Sequence, residues 1–96
     1  MQPRIYVDFN EMLSANEVLL SQADYKIDSE GNVVEFVEGK PIAVYMDDTT
    51  PEGKPDYLIA DGVALRNTSG GWASAATWVL QIDTRGIRRA SEEANS

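Results

Sequence analysis

The sequence predicts a mainly β protein, a small barrel of five to six strands or a compact sandwich. Three observations lead there. Apolar and polar residues alternate in several short segments, turn-forming residues separate them about every 8–12 positions, and 96 residues suffice for a single hydrophobic core.

The first strand is predicted over Arg4–Phe9, with Ile5, Val7 and Phe9 facing a core and Arg4, Tyr6 and Asp8 facing outward. Pro3 suits a strand start. Residues 10–25 carry two readings. Ser14-Ala15-Asn16-Glu17 has the form of a capping box, with Ser14 as N-cap and Glu17 at N3, which gives a short helix near residues 14–23. Val18-Leu19-Leu20 also fits a short buried strand, and the β character of the rest tips the balance that way. Ser29-Glu30-Gly31-Asn32 reads as a turn, Val33–Val37 as a strand and Glu38-Gly39-Lys40-Pro41 as a second turn. Ile42, Val44 and Met46 then alternate with Ala43, Tyr45 and Asp47 in a strand. Asp48–Asp56, with Pro51, Gly53 and Pro55, is a polar loop.

Tyr57–Asn67 reads as a strand in which Gly62 marks a bulge or sharp bend, and Thr68-Ser69-Gly70-Gly71 as a hairpin turn. Beyond it, Trp72, Ser74, Ala76, Trp78, Leu80 and Ile82 share one face, and Ala73, Ala75, Thr77, Val79, Gln81 and Asp83 the other. The alanines allow a helix over residues 73–80, but the Gly-Gly turn, the β-formers Thr77-Trp78-Val79 and the phase of Ile82 favour a strand. Residues 1–83 make one β-rich domain. Residues 84–96 form a slightly basic C-terminal segment, partly frayed, with Ile87 as its single apolar anchor. The segment Glu38–Asp48 and the hairpin from Leu58–Asn67 to Trp72–Asp83 resemble local patterns of small SH3-like barrels.

Composition removes much chemistry. The chain has no cysteine and no histidine, so thiolate nucleophiles, disulfides, thiolate or imidazole metal sites and the commonest general base are absent. No segment approaches the 18 or so apolar residues of a membrane span, and the first residues lack the apolar run of a signal peptide. No membrane partner is expected, and the expected location is the cytoplasm. Sixteen acids and eight bases give a net charge of −8. The charge is uneven: residues 1–83 carry −9 and residues 84–96, with Arg85, Arg88 and Arg89, carry +1.

Each candidate site has a plainer alternative. Asp28-Ser29-Glu30-Gly31-Asn32 spaces oxygens like the start of a calcium loop, but Val33 and Gly39 stand where such a loop needs its glycine and its bidentate glutamate. A hairpin turn is expected there. Asp47, Asp48, Glu52 and Asp56 crowd the loop 47–56 and raise the alternative of a divalent-cation-binding domain, against a solvated acidic loop moderated by Lys54. Asp8 and Glu11 are read as ending a strand, and Asp61-Gly62 as turn or bulge chemistry, rather than as paired catalytic carboxylates. The serines have no base beside them, so no catalytic residue, cofactor or metal ligand is expected and an enzyme is unsupported.

Tyr6 and Tyr45 lie on the outward faces of two strands and Tyr57 begins a third, where cross-strand packing that stiffens the sheet is the first reading and an exposed platform the second. Arg85, Arg88 and Arg89 supply the basic end. Together these six residues are the candidate binding surface. A protein partner, or self-association, is the expected use. Nucleic acid is the second class, since stacked tyrosines and arginines suit single strands while the net charge opposes them. The arginines also have an internal use, docking on the acidic body. Arg88-Arg89-Ala90-Ser91 matches a basophilic kinase site, a pattern short enough to arise by chance.

Overall fold

A computed structural model describes residues 3–68, 71 and 76–93. Within them the alternating segments become strands: β1 (Ile5–Tyr6), β2 (Met12–Ser14), β3 (Glu17–Ser21), β4 (Tyr25–Ile27), β5 (Val33–Glu35), β6 (Pro41–Thr49), β7 (Pro55–Arg66), β8 (Trp78–Ile82) and β9 (Arg88–Arg89), with one helical turn, α1 (Ala90–Glu93). The main sheet runs β1-β6-β7-β8-β3-β2, with β9 beside β7, while β4 and β5 form a separate hairpin. Residues Ser69, Gly70 and 72–75, including Trp72 and the middle two residues of the expected hairpin turn, lie outside the described residues, as do residues 94–96.

Period-two alternation decides which residues meet. Ile5 and Val7, Ile42 and Val44, Ala60 and Ala64, Trp78, Leu80 and Ile82, and Val18 and Leu20 all turn to one side and form a single core with Phe9 and Phe36. Phe36, just after β5, packs its ring 6.1 Å from that of Trp78. The Trp78 indole donates to Asp24 Oδ1 at 2.9 Å, and the Phe36 amide donates to the Asp24 carbonyl at 2.8 Å. A buried indole N–H thereby has its acceptor, and the small hairpin is fastened against the core.

β7 is the spine of the sheet. Its register with β6 is unbroken from Pro55 to Val63. On its other edge it serves two partners in turn: β8 opposite Gly62–Arg66 and β9 opposite Leu58–Ile59. β9 therefore continues the line of β8 after an excursion through residues 83–87, whose turn is closed by the Gly86 amide donating to Asp83 O at 3.0 Å. Gly62 is not a bulge, since pairing runs through it on both sides. Its role is close approach: a Cβ there would lie 2.0 Å from the Gln81 carbonyl oxygen.

Several expectations change. Of the two readings of residues 10–25 the strand at Val18-Leu19-Leu20 holds, within β3, and the helix near residues 14–23 is not formed; β2 and β3 make a hairpin. The capping-box residues serve its turn, with Ser14 Oγ donating to Asn16 Oδ1 and Glu17 Oε1, each at 3.0 Å. Burial of both Val18 and Leu20 on one side of a strand outweighs that local signal. β4 was not foreseen. Its Tyr25 and Ile27 are exposed, so no apolar alternation toward the core announces it. Ile87 is no anchor, being 39% exposed. The segment from residue 84 to Glu92 joins the sheet through β9 and rests on the body through polar contacts.

Among the described residues the sheet is not closed into a barrel: β1 and β2 end it without pairing to each other. Among the described residues, no helix is long and apolar enough to cross a membrane.

Because Gly62 faces backbone rather than a yielding side chain, Gly62→Ala is expected to cost about 3 kcal/mol or more. Urea unfolding checks this; a loss below about 1 kcal/mol would show that the β7–β8 approach yields easily.

Candidate binding surface

The register places the outward tyrosines in contact. Tyr6 pairs with Tyr45, Tyr45 with Ile59, and Ile59 with Arg88, so four strands contribute one row across the sheet. Tyr57 lies two residues before Ile59 on the same face. The Tyr6 and Tyr45 rings meet edge to face at 5.6 Å, and those of Tyr45 and Tyr57 at 5.9 Å. This geometry suits the ring quadrupoles and fixes the three rings as a unit. Tyr6 is 47% and Tyr57 36% exposed, while Ile59 is buried at the centre of the row.

Arg85 and Arg88 reach the same face through Asp61, one step along β7 from Ile59. Arg85 Nη2 lies 2.7 Å and Arg88 Nη2 2.9 Å from Asp61 Oδ2. The other oxygen, Oδ1, accepts from Arg4 Nη1 at 3.1 Å. The same Nη1 donates to the carbonyls of Val44 and Ala60 at 3.2 and 3.1 Å. Arg4 does not project into solvent as its strand position suggests; it is 6% exposed and folded over β6 onto β7. Asp61 is thus no turn residue. Burial pushes its carboxyl upward, but the Arg88 hydrogen bond and the charges of Arg4, Arg88 and Arg85 outweigh that and hold it below the usual carboxylate range.

Arg89 faces a second pair of carboxylates, 3.0 Å from Asp48 and 3.6 Å from Asp56. Asp56 is buried. It accepts from its neighbour's amide, Tyr57 N, at 2.8 Å, from Ser91 N at 3.3 Å and from Ser91 Oγ at 2.9 Å. The Tyr57 hydrogen bond, set against burial and joined by the Ser91 bonds and the Arg89 charge, lowers its pKa. All three C-terminal arginines therefore face body carboxylates. Of the crowded acids in 47–56, Asp48 and Asp56 are turned toward Arg89, and no group of three or more acids able to hold a metal ion occurs among the described residues.

The chain matches no family model, no curated protein and no solved structure. Its own residues carry the functional reading.

The remaining expected sites are turns. Asp28 Oδ1 accepts the amides of Glu30 and Asn32 at 2.9 and 3.0 Å, closing the β4–β5 hairpin with Gly31 at φ 85°. Those bonds, the Asn32 amide first, lower the Asp28 pKa. Asp8 Oδ1 likewise accepts the Asn10 amide at 2.8 Å.

One group escaped notice in the sequence. Lys26 Nζ donates to the Tyr6 carbonyl at 2.9 Å, at the outer edge of β1. Burial depresses its pKa, and the nearby Glu11 charge offsets this in part. It borders a cleft of about 590 Å³ lined by Tyr6, Val7 and Asp8 on one side and residues 19–22 of the β3 strand and its end on the other. Only pairing geometry, invisible in a linear pattern, brings Lys26 there.

The lowered pKa of Asp61 has a consequence with a definite sign. Its ionised form stabilises the fold above the ordinary carboxylate pKa, and the contribution vanishes as pH falls through the lower native value. Asp61→Asn, which leaves buried Arg4 without its carboxylate, is expected to cost about 2–3 kcal/mol at neutral pH, less than a fully buried pair because solvent reaches the site. It is also expected to flatten the acid limb of the stability curve below about pH 4. Denaturant titrations across pH check both; an unchanged acid limb would remove Asp61 as its source.

Proposed function

We propose that this protein is a small non-catalytic interaction module whose tyrosine face binds a protein partner with a basic contact surface. The observation that carries the proposal is the contiguous set of Tyr6, Tyr45 and Tyr57, linked edge to face and open to solvent at its two ends. Tyrosine offers a large contact area with little conformational entropy to lose, and aromatic anchors of this kind dominate binding energy in protein interfaces. The net charge of −8 favours a cationic partner and opposes a second copy of the same chain.

The alternative of single-stranded nucleic acid is weakened by the arginines it would need. Arg85 and Arg88 share Asp61, and Arg89 lies between Asp48 and Asp56, so their charge is answered within the molecule. We also take the architecture as a small SH3-like barrel opened at one seam, a view supported by β1 and the end of β3 lining one cleft.

Affinity capture with the wild-type chain, followed by titration of the purified captured protein, tests the function. Replacing Tyr45 and Tyr57 together by alanine is expected to weaken that binding at least about tenfold, the equivalent of ~1.4 kcal/mol. Equal affinity for both forms would contradict the proposal. So would binding of single-stranded RNA at low salt in place of a protein.

A further inference from the structure

We propose that the open seam between β1 and β3 is a strand-addition site for an extended, basic peptide segment, gated by Lys26. This rests on the reading of the protein as an interaction module and names the kind of segment it takes.

The seam has the properties of an unfilled strand position. Among the described residues β1 ends the sheet, and β2 pairs with β3 only through Met12–Val18 and Ser14–Glu17, leaving Leu20 and Ser21 without a strand on that side. β1 and the end of β3 line the same cleft of about 590 Å³, a size within the range of ligand-binding sites. The core residues Val7 and Leu20, almost wholly buried, form part of its lining, so side chains of an added strand that point inward approach the apolar core. Ala23, Ala76 and Leu19 extend that lining.

The edge of β1 is already partly used, by side chains and a turn in place of a strand. The Arg4 amide donates to Ser29 Oγ at 3.0 Å and its carbonyl accepts from the Ser29 amide at 2.8 Å. The next outward-facing carbonyl, that of Tyr6, accepts the Lys26 ammonium. Lysine on a sheet edge is a common guard against unwanted pairing. Here the guard is held at a cost, since burial disfavours its charged form. An incoming peptide N–H can take the Tyr6 carbonyl and release Lys26 toward water and Glu11, which lines the same cleft.

Charge selects the occupant. With Lys26 displaced, Asp8 and Glu11 are the charged side chains that line the cleft, on a body of net charge −8. A segment alternating apolar residues with lysine or arginine matches both the apolar and the acidic residues of that lining, with main-chain bonds supplying affinity and side chains specificity.

The test is titration of the ¹⁵N-labelled protein with three hexapeptides: alternating valine and lysine, alternating valine and glutamate, and the valine–lysine peptide N-methylated along one edge. The valine–lysine peptide is expected to bind with shifts centred on residues 6–8 and 19–22, about tenfold more tightly than the glutamate peptide. N-methylation is expected to abolish binding, because it removes the donors that replace Lys26. Lys26→Met is expected to bind the lysine peptide several-fold more tightly. Equal binding of the lysine and glutamate peptides, shifts centred elsewhere, indifference to N-methylation, or no binding at millimolar peptide would each overturn the proposal. Failure of these wild-type titrations, alongside loss of the captured partner on tyrosine replacement, would remove the seam and leave the tyrosine face standing.

Discussion

The Asp61 carboxylate ties together parts of the chain that are far apart in sequence. Arg4 comes from just before β1, Asp61 from the middle of β7, and Arg85 and Arg88 from the excursion and strand that follow β8. One acid among three guanidiniums sits in a partly buried place, where an unpaired charge of either sign would be costly. Removal of the acid leaves a buried cation. Removal of the cations leaves a carboxylate that burial would tend to protonate. Such a cluster contributes more to which arrangement forms than to how stable it is, because its desolvation offsets much of its attraction. It sets the position of β9 on β7, and with it the row of Tyr6, Tyr45, Ile59 and Arg88.

The same arrangement explains how an acidic chain ends in a basic segment that lies on it. The excursion through residues 83–87 lets β9 resume the line of β8, bringing Arg88 beside Asp61 and Arg89 beside Asp48 and Asp56. Asp56 then accepts both the amide and the hydroxyl of Ser91, so α1 is held through a buried acid. Apolar burial plays little part in this docking, and its strength follows the ionisation of Asp61 and Asp56 in particular. The tyrosines differ: their rings hold each other, and the ends of the trio stay open to solvent. Beyond Tyr6 the sheet stops, and Lys26 stands where a further strand would donate its first hydrogen bond.

Much of the sheet was legible in the sequence because burial on one face writes a period of two. Ile5 and Val7, Ile42 and Val44, and Trp78, Leu80 and Ile82 all occupy the core positions their alternation predicts. Gly62 was recognisable as a special position, although the reason is a carbonyl from the neighbouring strand rather than a bulge. The local signal at Ser14–Glu17 misled in favouring a helix, because the same hydroxyl and carboxylate groups can serve a tight hairpin turn. Of the candidate surface, the outward tyrosines could be named from strand parity, and internal docking of the arginines could be framed as an alternative. The participation of Arg4, Asp61 and Lys26 could not. Arg4 lies 57 residues from Asp61, and Lys26 lies 20 from Tyr6, separations set by a parallel crossover and a folded-back hairpin.

If Asp61 positions the C-terminal return, its loss must loosen that part of the molecule selectively. Hydrogen exchange on Asp61→Asn measures this residue by residue. The account predicts that amides of residues 83–91 and of β1 lose protection together, while those of β3 and the β8 core keep theirs. Uniform loss across the sheet, or unchanged protection in residues 83–91, would contradict it.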